Sequence, residues 1–166
     1  MRSIIGFALS NYSLSFLVLG FVAAGIALMR RNRSSVAETM FAYYLLCAIG
    51  FSFLYNFVMH VFFQETASKF IGWAPSPFET EVGTASLGFA LVAFLAFKGS
   101  YGLRIGAVVG PSAFLLGAAV GHVYQMLTVH NFAPGNAGVV LYTDIGVPLI
   151  GFVLLALTRP TLPSPS

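Results

Sequence analysis

The sequence predicts an all-α fold, an integral membrane bundle of five transmembrane helices that forms one transmembrane domain over residues 1–166. Three observations lead to this prediction. Hydrophobic residues make up 58% of the chain and charged residues only 8%, and the mean hydropathy is +0.88, far above that of an ordinary soluble domain. Five apolar stretches are each long enough to cross a hydrocarbon core, which needs about 20 helical residues. The basic residues lie between these stretches, where they act as topology signals.

The predicted helices cover residues 3–29, 36–63, 77–97, 103–129 and 138–158. The first is expected to stay as a membrane anchor and not as a cleaved signal peptide, because its apolar part is too long and the stronger basic cluster follows it. With the amino terminus outside and the carboxyl terminus cytoplasmic, every basic residue except Arg2 and Lys69 falls on the cytoplasmic side. The cytoplasmic set is Arg30, Arg31, Arg33, Lys98, Arg104 and Arg159.

This distribution of charge also predicts the location and the general partners of the protein. The expected location is the cytoplasmic (inner) membrane of a bacterium, with several passes through the lipid bilayer. Nucleic acid is excluded as a partner, because the basic residues do not form one solvated patch. Trp73, in the loop between the second and third helices, is expected to anchor that loop at headgroup level.

Two helix starts carry a sequence pattern for capping. Ser76 and Glu79 form S-x-x-E with Pro77 at the first helical position, and Ser35 and Glu38 repeat the pattern at the start of the second helix. A capping box of this kind satisfies free backbone N–H groups where water becomes scarce. We therefore expect both glutamates to have structural roles.

Glu81 is not explained by capping. It lies about five residues inside the third predicted helix, where a charged group facing lipid costs about 2.5 to 3.5 kcal/mol or more. The sequence therefore predicts that Glu81 faces protein. Thr84, Ala85 and Gly88 share its helical face, and such small residues allow a neighbouring helix to approach closely.

Ionisable side chains from four different helices are predicted to lie at one depth in the outer half of the bundle. At 1.5 Å per residue, they fall within roughly 5 to 11 Å of the outer boundary. These residues are Glu81, His60, His122 and Asp144, and the supporting polar residues are Asn56, Gln125 and Asn136. Pro148 adds to this layer, because its ring displaces the backbone carbonyl of the residue four positions earlier, Asp144.

The fourth helix carries a stripe of small residues with GxxxG spacing. Its glycines are Gly106, Gly110, Gly117 and Gly121. Such stripes favour close packing of another helix, which belongs either to the same chain or to another subunit. The stripe is therefore the expected contact surface for a homo-oligomer or a larger membrane complex.

Four segments, EVGTASLGF, GHVYQM, NFAPGNAG and DIGVP, carry a resemblance to a known family. They resemble a family of small bacterial multi-pass membrane proteins that is defined only as a domain of unknown function. The resemblance covers most of residues 70–150 and is poor before Ser35. It implies a helical membrane fold, but neither an activity nor a cofactor. The motif positions that it implies are Glu81, His122, Gln125, Asn136 and Asp144.

Two functional hypotheses follow. In the first, the polar layer binds a cation, either a proton or a divalent metal ion, or a small polar ligand; the candidate metal ligands are Glu81, His122, Asp144 and His60. In the alternative, the chain is an accessory or structural subunit of a larger membrane complex, in contact with a pigment or haem, and the layer serves helix packing only. The sequence carries no GxSxG, P-loop or Rossmann motif, so it favours a protein that is not an enzyme, and no catalytic residue is assigned.

Overall fold

The computed structural model describes residues 2–30 and 35–160, and this part of the chain is predominantly helical, without strands. Within it, five helices are long and apolar enough to cross a membrane, which confirms the predicted class of fold. We name them the first to fifth spans: Tyr12–Arg30, Val36–Phe62, Phe78–Ala96, Tyr101–Val129 and Val139–Leu157. Arg31 and Arg33 of the predicted basic cluster lie outside the described residues.

The first predicted helix is divided at Asn11 into a helix at Arg2–Ser10 and the first span. The Asn11 side-chain amide donates to the carbonyl of Phe7 at 2.9 Å, and the Ser15 hydroxyl donates to the carbonyl of Ala8 at 3.0 Å. Short polar side chains that bond to nearby backbone groups compete with regular helix hydrogen bonding. Both bonds accompany the interruption, and the backbone N–H of Asn11 still donates to the carbonyl of Phe7 at 3.0 Å.

The second span lies at the centre of the bundle. It and the fifth span are more buried than the fourth, which carries the glycine stripe. Its middle, Tyr44–Phe51, is π-helical, between α-helical segments at Val36–Tyr43 and Ser52–Phe62. The Tyr44 hydroxyl donates to the backbone carbonyl of Val147 at 2.8 Å, so the second and fifth spans are tied together by a buried hydrogen bond.

The glycine stripe of the fourth span is only partly covered within the chain. A Cβ atom added at Gly110 would lie 3.3 Å from the Phe89 ring, and one at Gly121 would lie 3.6 Å from the Trp73 ring. Added Cβ atoms at Gly106 and Gly117 would meet no described atom within 4 Å. The close helix partner expected at this stripe therefore stays a prediction.

Two short helices connect the spans at one end of the bundle, which we name the loop end. Gln64–Ile71 precedes the third span and Pro134–Ala137 precedes the fifth. The Asn131 side-chain amide joins the two connections, because it donates to the carbonyls of Ile71 and Gly72 at 3.0 and 3.1 Å. We name the opposite end, where Arg30, Arg104 and Arg159 lie, the arginine end.

Candidate functional site

A cavity of about 870 Å³, open on one side, lies between the helices near the loop end. Its walls come from the N-terminal helix, all five spans and the Gln64–Ile71 helix, and most of the lining side chains are apolar. A smaller number of polar side chains faces it. The principal ones are Asn56, His60, Trp73, Glu79, His122 and Asp144.

One face of the third span brings Glu79 to this cavity. Glu79, Gly83 and Ser86 follow one another at helical spacing, and Gly83 and Ser86 are buried. A Cβ atom at Gly83 would lie 2.6 Å from Val61 and 3.3 Å from the Cβ of His60. The third span therefore packs closely against the second beside His60, and Glu79 lies on the same packed face one turn earlier.

The structure corrects the predicted placement of Glu81, which is exposed and does not line the cavity. Two residues beyond Glu79 means a rotation of about 200° around the helix, and the neighbours Thr84, Ala85 and Gly88 on this other face are exposed as well. Because the span begins at Phe78, Glu81 belongs to its first turn, where the headgroup region is close. The prediction that Glu81 faces protein is therefore wrong.

Glu79 forms the first histidine–carboxylate pair of the cavity. Its Oε2 atom lies 3.2 Å from Nδ1 of His60, and its Oε1 atom accepts a hydrogen bond from the Ser68 hydroxyl. An ionised carboxylate only accepts hydrogen bonds, so Nδ1 is the protonated ring nitrogen when Glu79 carries its charge. The Ser76 hydroxyl does accept from the N–H of Phe78 at 3.3 Å, but Glu79 is turned inward, so the predicted reciprocal capping box is wrong.

The second predicted capping box is wrong for a similar reason. The side chain of Ser35 makes no capping hydrogen bond among the described residues. Glu38 instead pairs across the bundle with Arg104, with 2.5 Å between Oε2 and Nη1. Both glutamates that were predicted as caps therefore join different helices.

His122 is held in one orientation by Asn136, which is completely buried. The Asn136 amide nitrogen donates to the backbone carbonyls of His122 and Asn131 at 3.2 and 2.9 Å, and its Oδ1 atom accepts from the indole N–H of Trp73 at 3.0 Å. These partners fix which end of the amide is oxygen. Since Nδ1 of His122 lies 2.8 Å from the same Oδ1 acceptor, Nδ1 must be the donor and carries a proton.

The other ring nitrogen of His122 faces Asp144 and completes the second pair. Nε2 lies 3.5 Å from Oδ2, and both side chains are only 6% exposed. With the proton on Nδ1, a neutral ring offers a lone pair at Nε2, and an ionised carboxylate offers lone pairs as well. Without a further proton, the lone pairs of Nε2 and Oδ2 repel each other. One further proton, bound to either atom, allows a hydrogen bond between them and makes the interaction attractive. The pair therefore suits the binding of one exchangeable proton.

Asn56 supports the site by joining three spans. The Tyr12 hydroxyl donates to its Oδ1 atom at 2.9 Å, and its amide nitrogen donates to the Ser86 hydroxyl at 2.9 Å. Gln125 behaves differently, because its side chain does not line the cavity and makes no hydrogen bond within the described part of the chain. The structure thus brings together five of the predicted site residues: His60, His122, Asp144, Asn56 and Asn136.

Sequence reasoning missed three contributors to the site: Glu79, Ser68 and Trp73. Glu79 was detectable, because its helical face runs through Gly83 and Ser86 and continues with further small residues. The inward hydrogen bond of Trp73 had no comparable signal in the sequence, since it depends on how the two connections of the loop end fold together.

The two histidine–carboxylate pairs supply few ligands for the predicted divalent metal. In residues 2–30 and 35–160, no group of three or more histidine, cysteine, aspartate or glutamate side chains is arranged to hold a metal ion. Each pair brings one imidazole and one carboxylate. A divalent metal at this site stays a prediction.

The fold and the site together define a multi-pass helical membrane protein with a cavity between its helices that two histidine–carboxylate pairs line. The chain belongs to a family of unknown function, DUF6790, whose model matches residues 10–163. The family resemblance is therefore not confined to the part of the chain after Ser35. No curated protein and no solved structure matches the chain.

Proposed function

We propose that the protein binds, in the cavity at the loop end, a small organic molecule that carries a proton-exchanging polar group. The observation that carries this proposal is that both histidine–carboxylate pairs line one cavity of about 870 Å³. Small-molecule sites typically have volumes of about 300 to 1,000 Å³, apolar walls and a few placed polar groups.

The two pairs have different tasks in this proposal. The His122–Asp144 pair gives a proton to the bound molecule or takes one from it, while Asn136 keeps the imidazole ring oriented. The His60–Glu79 pair supplies a second hydrogen-bonding position in the same cavity. A proton is the cation that this arrangement favours, because one proton can be shared by two side chains, whereas a divalent metal prefers more ligands.

No particular contact among the described residues favours the alternative, in which the chain is an accessory subunit and its polar layer serves helix packing only. A layer that only fixes the packing needs no cavity beside its polar side chains. Both pairs nevertheless border the cavity.

A matched pair of model compounds tests the binding proposal. The probes are para-propylphenol and propylbenzene, which have similar shape but differ in one proton-donating hydroxyl. In nanodiscs, the fluorescence of Trp73, the sole tryptophan, reports binding because its ring centre lies 5.5 Å from that of His122. We expect the phenol to bind about tenfold more tightly, since a net hydrogen bond contributes about 1 to 1.5 kcal/mol.

Two variants separate the site from general partition into lipid. Asp144→Asn should remove the preference for the phenol. Glu81→Gln, which changes an exposed carboxylate at the same end of the bundle but outside the cavity, should keep it. Equal affinity for both probes in the wild-type protein, or the same loss in both variants, contradicts the proposal.

We also propose that the arginine end is cytoplasmic and the cavity end is outside, in the inner membrane of a bacterium, on the basis of the charge distribution. Lys69 and Arg159 are exposed at opposite ends, and Cys47 is buried. In a Cys47→Ala background, a membrane-impermeant maleimide added to intact cells should label Lys69→Cys and spare Arg159→Cys. The reverse pattern would show the opposite orientation.

A further inference from the structure

A second recess, separate from the cavity, lies at the arginine end, between the first and second spans and the connection from the third span to the fourth. It is a groove of about 740 Å³. Side chains from the end of the first span, the start of the second, the segment after the third and the start of the fourth line it. Its deeper walls are apolar and largely small, and they include Ala23, Ala27, Ala42 and Phe97.

The rim of this groove is positively charged. Arg30, Lys98 and Arg104 lie on it with a single carboxylate, Glu38. Glu38 is already paired with Arg104 at 2.5 Å. Within the described part of the chain, Arg30 and Lys98 have no carboxylate at ion-pair distance, and both are exposed.

Arg104 has a structural role that leaves the other two cations available. Its guanidinium donates from Nε to the carbonyl of Ala96 at 3.3 Å and from Nη2 to that of Phe97 at 3.5 Å, at the carboxyl end of the third span. It therefore fixes the start of the fourth span against the end of the third. Lys98 projects beside this junction, with its Nζ atom 5.9 Å from the centre of the Phe97 ring.

We propose that this groove binds one anionic phospholipid, with the phosphate between Arg30 and Lys98 and an acyl chain along the alanine-lined wall. Basic pockets between transmembrane helices are suited to anionic headgroups. A soluble phosphate would use the same cations but would leave the apolar groove empty. The combination of a cationic rim and an apolar floor at the arginine end of the bundle therefore favours the lipid.

Native mass spectrometry of the detergent-purified full chain tests this proposal. The protein is incubated with equimolar phosphatidylglycerol and phosphatidylcholine that have the same acyl chains. We expect the phosphatidylglycerol adduct to dominate. Lys98→Gln or Arg30→Gln should each weaken it about fivefold, the effect of about 1 kcal/mol per basic residue near an anionic surface.

The chain offers controls for charge and for shape. Arg159→Gln removes a cation from the same end but outside the groove, and should change the adduct less than twofold. Ala42→Phe keeps every charge and fills the groove, and should reduce the phosphatidylglycerol adduct as strongly as Lys98→Gln. Circular dichroism checks that each variant keeps its helical content.

Three results would overturn the proposal. The first is equal binding of both lipids by the wild-type protein. The second is an equal loss in Arg159→Gln and Lys98→Gln, which would indicate attraction by net charge alone. The third is displacement of the lipid adduct by millimolar inorganic phosphate together with full binding in Ala42→Phe, which would indicate a site for a soluble anion.

Discussion

Replacing Glu79 by alanine is expected to destabilise the protein much more than the same replacement at Glu81, two residues later in the same span. Glu79→Ala removes the acceptor for the Ser68 hydroxyl and for Nδ1 of His60. Hydrogen bonds between membrane helices contribute about 0.6 kcal/mol on average and up to about 1.7 kcal/mol, and those to charged groups in proteins about 1.5 to 3 kcal/mol. We therefore expect a loss of about 2 kcal/mol in the free energy of unfolding.

Glu81→Ala removes an exposed carboxylate in the first turn of the third span. The interaction of such a group with the helix dipole contributes about 0.3 to 1 kcal/mol, and alanine recovers part of this through its higher helix propensity. The expected loss is therefore below about 1 kcal/mol. The two losses therefore differ by more than about 1 kcal/mol, so the unfolding equilibrium constants of the two variants should differ by about fivefold or more.

Reversible unfolding in mixed micelles of increasing dodecyl sulfate content measures both losses. The fluorescence of Trp73 reports the loop end, because its indole N–H bonds to Asn136, and far-ultraviolet circular dichroism reports the whole bundle. Glu79→Gln keeps one acceptor oxygen and should lie between the wild-type protein and Glu79→Ala. Equal losses in the two alanine variants, or a larger loss for Glu81→Ala, would refute the assignment of Glu79 to the packed face.

Other predictions concern the frame of the site. Asn136→Ala should lower the free energy of unfolding by about 2 kcal/mol in the same assay and shift the emission of Trp73. It leaves the N–H groups of the buried His122 ring and of the partly exposed Trp73 indole without their acceptor, whereas Gln125→Ala should change neither quantity. Gly83→Val should lower the free energy of unfolding by about 1 to 3 kcal/mol, because the larger side chain overpacks against the second span. Gly88 faces open space, so Gly88→Val should lower it by less than about 1 kcal/mol. Equal losses in the two variants would contradict the close approach of the two spans at Gly83. Elemental analysis of gently purified protein tests the divalent-metal prediction, which would be upheld by one zinc or similar ion per chain and contradicted by a substoichiometric amount.

The spans could be predicted from the sequence because hydropathy and helix length are local properties. A helix in lipid satisfies its own backbone groups, so about 20 apolar residues are enough to predict it. Residues 77–97 were predicted as the third helix and Phe78–Ala96 is observed. The π-helical segment Tyr44–Phe51 could not be predicted in this way, since it is defined by tertiary contacts: it packs against the first and third spans, and Tyr44 bonds to the fifth.

The depth of a side chain along the bundle could also be predicted from the sequence. The side of the helix to which it points could not. His60, His122 and Asp144 lie on the same cavity, as counting residues from the helix ends suggested. The same counting gave Glu79 and Glu81 nearly equal depth and could not show which one faces the second span. Which of the two glutamates faces the second span depends on Gly83, which lets the two spans approach closely, and on Val61 and His60, which pack against Gly83.

The distances around His122 indicate where a ligand can act. On one side of the imidazole ring, Nδ1 lies 2.8 Å from Oδ1 of Asn136, which also accepts from Trp73 at 3.0 Å; these are normal hydrogen-bond lengths. On the other side, Nε2 and Oδ2 of Asp144 are 3.5 Å apart, longer than a normal hydrogen bond. The ring is therefore held firmly at one nitrogen and loosely at the other. A ligand hydroxyl that approached from the cavity would donate its proton to one of these two atoms. It would accept a hydrogen bond from the other when that atom carries the proton of the pair, and the hydrogen bonds that orient the ring would stay intact.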